Sequence, residues 1–205
     1  MITLYGIEWS RAQYVLFTLA ELGLEFKHVR INPFTEEKNA SDYLKLNPLA
    51  QVPTLVDGDL VLTEAMAINF YLSKKYGAEK LWVSRLEDEA QIYKWTFFAV
   101  TQMETPCVDL ILHRKALDER ERNSDLIRLA EQKLVKPLVV LNDHLANKDT
   151  LVANQFTIAD INVAGVLSYA RGGEFDFSPY PHVARYLDAI LSRPGCRNAK
   201  TTSLA

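Results

Sequence analysis

Strand signals crowd the first third of this 205-residue chain and largely vanish after about residue 85. That switch constrains the fold more than any other feature. A chain that alternates strands with helices and then turns wholly helical must bury two different kinds of apolar face. "ITLYG" at 2–6 reads as a strand. Residues 11–22 carry Val15, Leu16, Leu19, Ala20 and Leu22 on one helical face, and Gly23 is a natural C-terminal stop. "EFKHVRI" (25–31) alternates Phe26, His28 and Arg30 with Lys27, Val29 and Ile31, a second strand. The polar segment 32–46 holds a short helix over 36–46. "TLVDGDLVL" (54–62) is a hairpin turning through Asp57-Gly58. Pro53 stands just before its first strand, where no ladder N–H is required. Residues 64–77 form a helix with Ala67, Ile68, Tyr71 and Leu72 on one side and Gly77 at its end. The order is βαβ, then α, then ββα.

The rest reads as helices. A long helical pattern spans 85–115, with Pro106 inside it and a kink expected near Thr105. Residues 123–146 carry Leu126, Leu129, Leu134, Leu138 and Leu141, with Pro137 placed to bend them. Further helices are expected at 157–171 and 181–192, the last stopped by Pro194-Gly195. The boundary falls at about 77–86, giving a first domain over 1–78, a linker over 79–86 and a helical domain over 87–205. Thr157 is a helix cap with Asp160 as its capping-box partner, and Phe156 with Ile161 completes a hydrophobic staple. Asp160 therefore reads as a helix initiator and not as a catalytic acid.

Composition excludes several classes. Net charge is −3, so no basic field draws nucleic acid or an anionic membrane. The chain has no apolar run of about 18 residues, so no transmembrane helix is expected. It opens directly in a strand pattern, without the basic and apolar regions of a secretory signal. Cys107 and Cys196 lie far apart, and the four histidines are scattered. No metal site is expected, and the cysteine usage fits a reducing cytoplasm.

Two motifs carry a resemblance. "NPLAQVPTLVDGDLVLTEAMAI" at 47–68 and "FTIADINVAGVL" at 156–167 resemble the cytosolic glutathione transferase family. The likeness covers nearly the whole chain. It implies an α+β thioredoxin-like first domain, an all-α helical-bundle second domain, and a two-fold homodimer. It also implies glutathione as a co-substrate, with no other cofactor. On this resemblance, Pro53 follows a cis bond and Val52 pairs its backbone with the cysteinyl part of glutathione. Glu64 and Ala65 meet the γ-glutamyl end, where the helix N-terminus offers N–H groups and a positive dipole end to a carboxylate. The family usually carries serine where this chain has Ala65. Lys38 and Gln51 are candidates for the glycine carboxylate.

Three sources remain open for the group that stabilises the glutathione thiolate. A hydrogen bond to the thiolate favours the charged form and lowers the thiol pKa. Ser10, on the turn "EWSRAQ" between strand and helix, is one candidate, with Arg11 behind it adding positive potential. Tyr5 matches the tyrosine-type position by its spacing to Gly23. Backbone N–H donors alone are the third. Counting back from Val15, Trp9 takes the position that serine or cysteine holds in several branches, so it is a candidate glutathione contact. The resemblance also implies a pocket for a second, hydrophobic substrate, for which Trp9, Phe98, Met103 and Cys107 are candidates. The expected activity is conjugation of glutathione to small electrophiles. Isomerase or dehalogenase chemistry with the same thiolate, or a non-catalytic binding role, is the alternative.

Overall fold

The computed structural model describes residues 1–201, and side chains as far as residue 197. The chain divides into two units, Val83–Leu191 and a first unit that joins Met1–Trp82 to the residues from Ser192 onward.

The first unit is built on a four-stranded sheet of β1 (Ile2–Tyr5), β2 (Phe26–Val29), β3 (Thr54–Asp57) and β4 (Leu60–Thr63). The strand order is β2-β1-β3-β4. β1 and β2 are parallel, while β1–β3 and β3–β4 are antiparallel. The crossover between the parallel pair is α1 (Ala12–Leu22), and α2 (Ser41–Leu46) and α3 (Ala65–Tyr76) complete the expected βαβ–α–ββα order. α1 stops where Gly23 takes the left-handed conformation (φ 67°) and Leu24 N–H bonds back to the Leu19 carbonyl at 3.1 Å. A residue with a Cβ pays a steric penalty there, which is why the helix ends at a glycine. Leu4, Val15, Leu19, Leu55, Ile68 and Leu72 are fully buried and form the core of this unit. The expected helix over 36–46 is a 3-10 turn (Glu36–Asn39) followed by α2.

The hairpin turns at Gly58 (φ 62°), with Asp57 opposite Leu60. Asp57 Oδ2 accepts from Tyr71 Oη at 2.7 Å, Lys75 Nζ at 2.8 Å and Tyr76 Oη at 2.7 Å, fastening the hairpin to α3. These bonds, that from Lys75 foremost, hold the carboxyl down to about 2.

The second unit is helical: α4 (Leu86–Phe98), α5 (Thr105–Ile111), α6 (Ser124–His144), α7 (Ile158–Gly172) and α8 (Pro181–Leu191). α7 packs against α4, α5 and α8 and is buried along most of its length. Its start carries the expected capping box between Thr157 and Asp160. Asp160 also accepts from Leu151 N–H at 3.0 Å and Tyr186 Oη at 3.2 Å, a structural role that uses its carboxylate fully. Among the described residues no helix is long and apolar enough to cross a membrane.

Two prolines behave differently from expectation. The pattern at 85–115 does not simply kink at Pro106. A widened π turn over Ala99–Glu104 precedes it, and α5 begins immediately after. Widening that turn relieves the clash between the proline ring and the carbonyl four residues back. Pro194, read as a stop, is also the first residue of α9 (Pro194–Thr201), where its missing N–H costs nothing. α9 packs on α1, so this last helix sits with the first unit. Arg193 makes a bidentate pair with Glu21, Nε–Oε1 3.0 Å and Nη2–Oε2 2.8 Å. A Cβ at Gly195 would stand 2.6 Å from that Glu21 side chain, so glycine lets α9 come this close.

Candidate functional site

The sheet register brings three chain segments to one end. Tyr5, the last residue of β1, is opposite Thr54, the first of β3, and Thr54 is opposite Thr63, the last of β4. The β1–α1 loop, the Val52-Pro53 bond and the start of α3 therefore meet at this edge. The Val52-Pro53 bond is cis. Gly6, just past β1, has φ 139°. A Cβ there would lie 2.7 Å from Ala12 Cβ, 3.3 Å from Val52 Cβ and 3.8 Å from Ser10 Oγ. Glycine is what allows Ser10 and Val52 to flank one point.

Ser10 lies in the loop as a buried hydroxyl. Its Oγ donates to the Ile7 carbonyl at 2.7 Å and accepts from Ala12 N–H in the first turn of α1 at 3.1 Å. The second bond polarises the hydroxyl and makes it a better donor. The first is exchangeable, because the Ile7 carbonyl also accepts Ser10 N–H at 3.1 Å. Rotating the hydroxyl toward another acceptor therefore leaves no buried carbonyl without a partner. Tyr5 lies beside Tyr43 of α2, ring centroids 5.8 Å apart with the rings tilted by 37°. Trp9 is 79% exposed.

The opposite wall is Gln51-Val52-Pro53, braced from below. Tyr43 Oη donates to the Gln51 carbonyl at 2.5 Å, and Asn47 Nδ2 donates to the same carbonyl at 2.7 Å. Asn47 Oδ1 accepts Leu49 N–H at 3.1 Å, and Tyr43 Oη is 3.0 Å from Thr54 Oγ1. Tyr43, Asn47 and Thr54 are all buried, and burial raises the Tyr43 phenol above its usual range. The Gln51 side chain is left outward, and Val52 is half-buried.

At the third segment Glu64 precedes α3 in an unusual conformation (φ 68°, ψ 110°) and is exposed, while Ala65 is buried. The Glu64 side chain makes no cap hydrogen bond to this helix start. Its N-terminal N–H groups and positive dipole end suit an anionic group such as a carboxylate. Lys38 is half-buried in the 3-10 turn before α2.

The remaining candidates belong to the helical unit. Met103 and Cys107 are fully buried in its core, and Phe98 packs edge-on against Trp95 at 5.5 Å. Burial pushes the Cys107 thiol well up, so it is not a reactive thiolate.

Sequence reasoning missed one cluster beside Ser10. Glu8, buried, accepts from Arg30 Nη1 at 2.5 Å, and His28 Nε2 lies 2.9 Å from the Gly6 carbonyl. The only available signal was the parallel pairing of Tyr5 with Val29, which sets Arg30 next to the loop. It also missed the brace of Tyr43 and Thr54, although Asn47 was visible in the motif at 47–68.

Comparison with known proteins agrees across both units. Residues 1–74 match the sequence model of the glutathione S-transferase N-terminal domain, and residues 90–194 that of the C-terminal domain. Glutathione S-transferase 3 of Zea mays is 34% identical over 94% of this chain and 90% of its own length. Glutathione S-transferase F9 of Arabidopsis thaliana is 28% identical over 95% of this chain and 94% of its own. Among solved structures, Ure2p5 of Phanerochaete chrysosporium, cocrystallized with 1-(S-glutathionyl)-2,4-dinitrobenzene, superimposes with a TM-score of 0.82 at 27% identity. It covers 98% of this chain and 94% of that one.

Proposed function

The chain belongs to the glutathione S-transferase family, and from that premise we propose that it is a transferase that joins reduced glutathione to small hydrophobic electrophiles. The observation that carries this reading is the meeting of Ser10, Val52-Pro53 and the start of α3 at one end of the sheet. The backbone of Val52 pairs with the cysteinyl part of glutathione. Glu64 takes the ammonium, and the N–H groups at Ala65 take the γ-glutamyl carboxylate. Gln51 and Lys38 serve the glycine end. Ser10 donates its hydroxyl to the thiolate, with Tyr5 as the second candidate donor. Trp9, exposed next to Ser10, supports an apolar second substrate. Of the helical unit's candidates, Met103 and Cys107 are buried in its own core and Phe98 is half-buried.

The reaction is a substitution or addition at carbon. With a 1-halo-2,4-dinitrobenzene, the thiol proton leaves to solvent, the S–C bond forms and the carbon–halogen bond breaks as halide departs. Catalysis comes from holding the thiolate charged and close to the carbon. A two-fold homodimer in a reducing cytoplasm accompanies this reading, and the two free cysteines support the compartment.

The test is conjugation of reduced glutathione to 1-chloro-2,4-dinitrobenzene by the purified protein, with Ser10→Ala and Tyr5→Phe alongside. Conjugate formation that falls with Ser10→Ala supports the assignment. Loss only with Tyr5→Phe would transfer the donor role to Tyr5. No conjugation despite retained glutathione binding would point to a ligand carrier.

A further inference from the structure

The β1–α1 loop that carries Ser10 is tied to β2 at three places. Gly6 N–H donates to the Val29 carbonyl at 3.0 Å, and His28 Nε2 lies 2.9 Å from the Gly6 carbonyl. The third tie is the Glu8–Arg30 ion pair, with Oε1 to Nη1 at 2.5 Å. The side chain of Glu8 is only 7% exposed, against 49% for Arg30. His28 Nδ1 stands 3.9 Å from the same Glu8 oxygen. A carbonyl can only accept, so His28 carries its proton on Nε2 when neutral. Arg30 is then the cation that compensates Glu8.

This pair does not earn its place through stability. A buried carboxylate loses its hydration, and the attraction of one partner roughly offsets that loss. Glu8 Oε2 has no hydrogen-bond partner among the described residues. What the pair does is geometric. Glu8 follows Ile7, whose carbonyl holds both the N–H and the hydroxyl of Ser10. Fixing Glu8 to the end of β2 therefore fixes the acceptor that sets where the Ser10 hydroxyl points. Cancelling the Glu8 charge matters as well, because an uncompensated carboxylate beside the site disfavours a thiolate there.

We propose that Glu8 and Arg30 are positioning residues that hold the Ser10 hydroxyl in place for the glutathione thiolate. This rests on the reading of Ser10 as the thiolate donor. Neither residue touches the substrate, and both act through the loop.

The experiment compares wild type, Glu8→Gln, Arg30→Met, the double variant, Arg30→Lys and Ser10→Ala. It reads the pH profile of kcat/KM in conjugation and the glutathione Kd by calorimetry. Glu8→Gln keeps an acceptor for Arg30 and removes the buried charge, so it separates the tie from the charge and is informative even if Arg30→Met fails to fold. The expected result for Arg30→Met is a fall in kcat/KM of roughly tenfold to a hundredfold, the scale of a misplaced catalytic group. Its acid limb moves to higher pH, in the direction of Ser10→Ala, while Kd is unchanged. Glu8→Gln, which weakens the tie to a neutral hydrogen bond, falls by less, and its acid limb does not move to higher pH. The double variant is no worse than the poorer single one, as coupled residues require. Arg30→Lys restores most of the rate. If Ser10→Ala shifts the limb while Arg30→Met leaves it at the wild-type position, or, where Arg30→Met does not fold, if Glu8→Gln keeps the full wild-type rate, the positioning role is wrong and Ser10 stands. If Ser10→Ala itself leaves the limb in place, the donor assignment fails and the positioning role with it.

Discussion

The two walls of the candidate site are held by different physics. The Gln51–Pro53 wall is braced by neutral hydrogen bonds from Tyr43 and Asn47, all buried and all satisfied. The Ser10 wall is held by a close backbone approach at Gly6 and by an ion pair to the neighbouring strand. Neutral, satisfied bonds fix a backbone that must offer the same groups to every ligand molecule. The Ser10 wall leaves its hydroxyl one exchangeable bond, which suits the proposed role of turning to a thiolate as it arrives. On that proposal one wall binds and the other reacts.

Substitutions can break that contrast. The largest effect is expected from Gly6→Ala. The new methyl meets Ala12 Cβ at 2.7 Å on a backbone of positive φ, and a cost of about 2–4 kcal/mol follows from overpacking and strain combined. Thermal or denaturant unfolding measures it. Ser10→Ala should lower kcat/KM by roughly ten- to a hundredfold, the value of about 1.5–3 kcal/mol for a hydrogen bond to a charged group, with glutathione binding kept. Asn47→Ala should do the reverse. It strips partners from the Gln51 carbonyl and Leu49 N–H, costs about 1–3 kcal/mol of stability, and weakens glutathione binding more than it slows bound glutathione. Equal effects of these two substitutions on Kd and kcat would erase the distinction between the walls.

Ala65→Ser is a gain-of-contact test of the binding wall. The added hydroxyl should tighten glutathione up to about tenfold, the equivalent of one charge-assisted bond, without moving the pH profile. A smaller effect is expected at the opposite end of the hairpin. Asp57 holds its charge down to about 2, whereas in the unfolded chain it takes up a proton near ~4. Its contribution is therefore complete above pH ~4 and is lost as pH falls toward 2. Asp57→Asn should abolish that loss in acid unfolding and leave glutathione affinity unchanged, since Asp57 is paired with Ile2 and Leu60, away from the site.

The binding wall was legible in the amino-acid sequence because its parts are contiguous. Proline, the Asp57-Gly58 turn and Glu64 fall within 47–68, and each has a local physical meaning. The reacting wall was legible only as Ser10 itself. Glu8 and Arg30 are 22 residues apart, and nothing local marks an exposed-looking glutamate as buried. The partnership appears only once β1 and β2 are set in parallel register. The last helix was missed for a related reason. Pro194 can stop one helix or start another, and its packing on α1, with the Glu21–Arg193 pair, decides which.

The most direct test of the account is calorimetric titration of the purified protein with reduced glutathione. The account predicts binding between micromolar and low-millimolar affinity, carried by Val52, Pro53, Glu64 and the start of α3. No heat of binding at several millimolar glutathione would contradict it, and the site at this end of the sheet would then have to serve a different ligand.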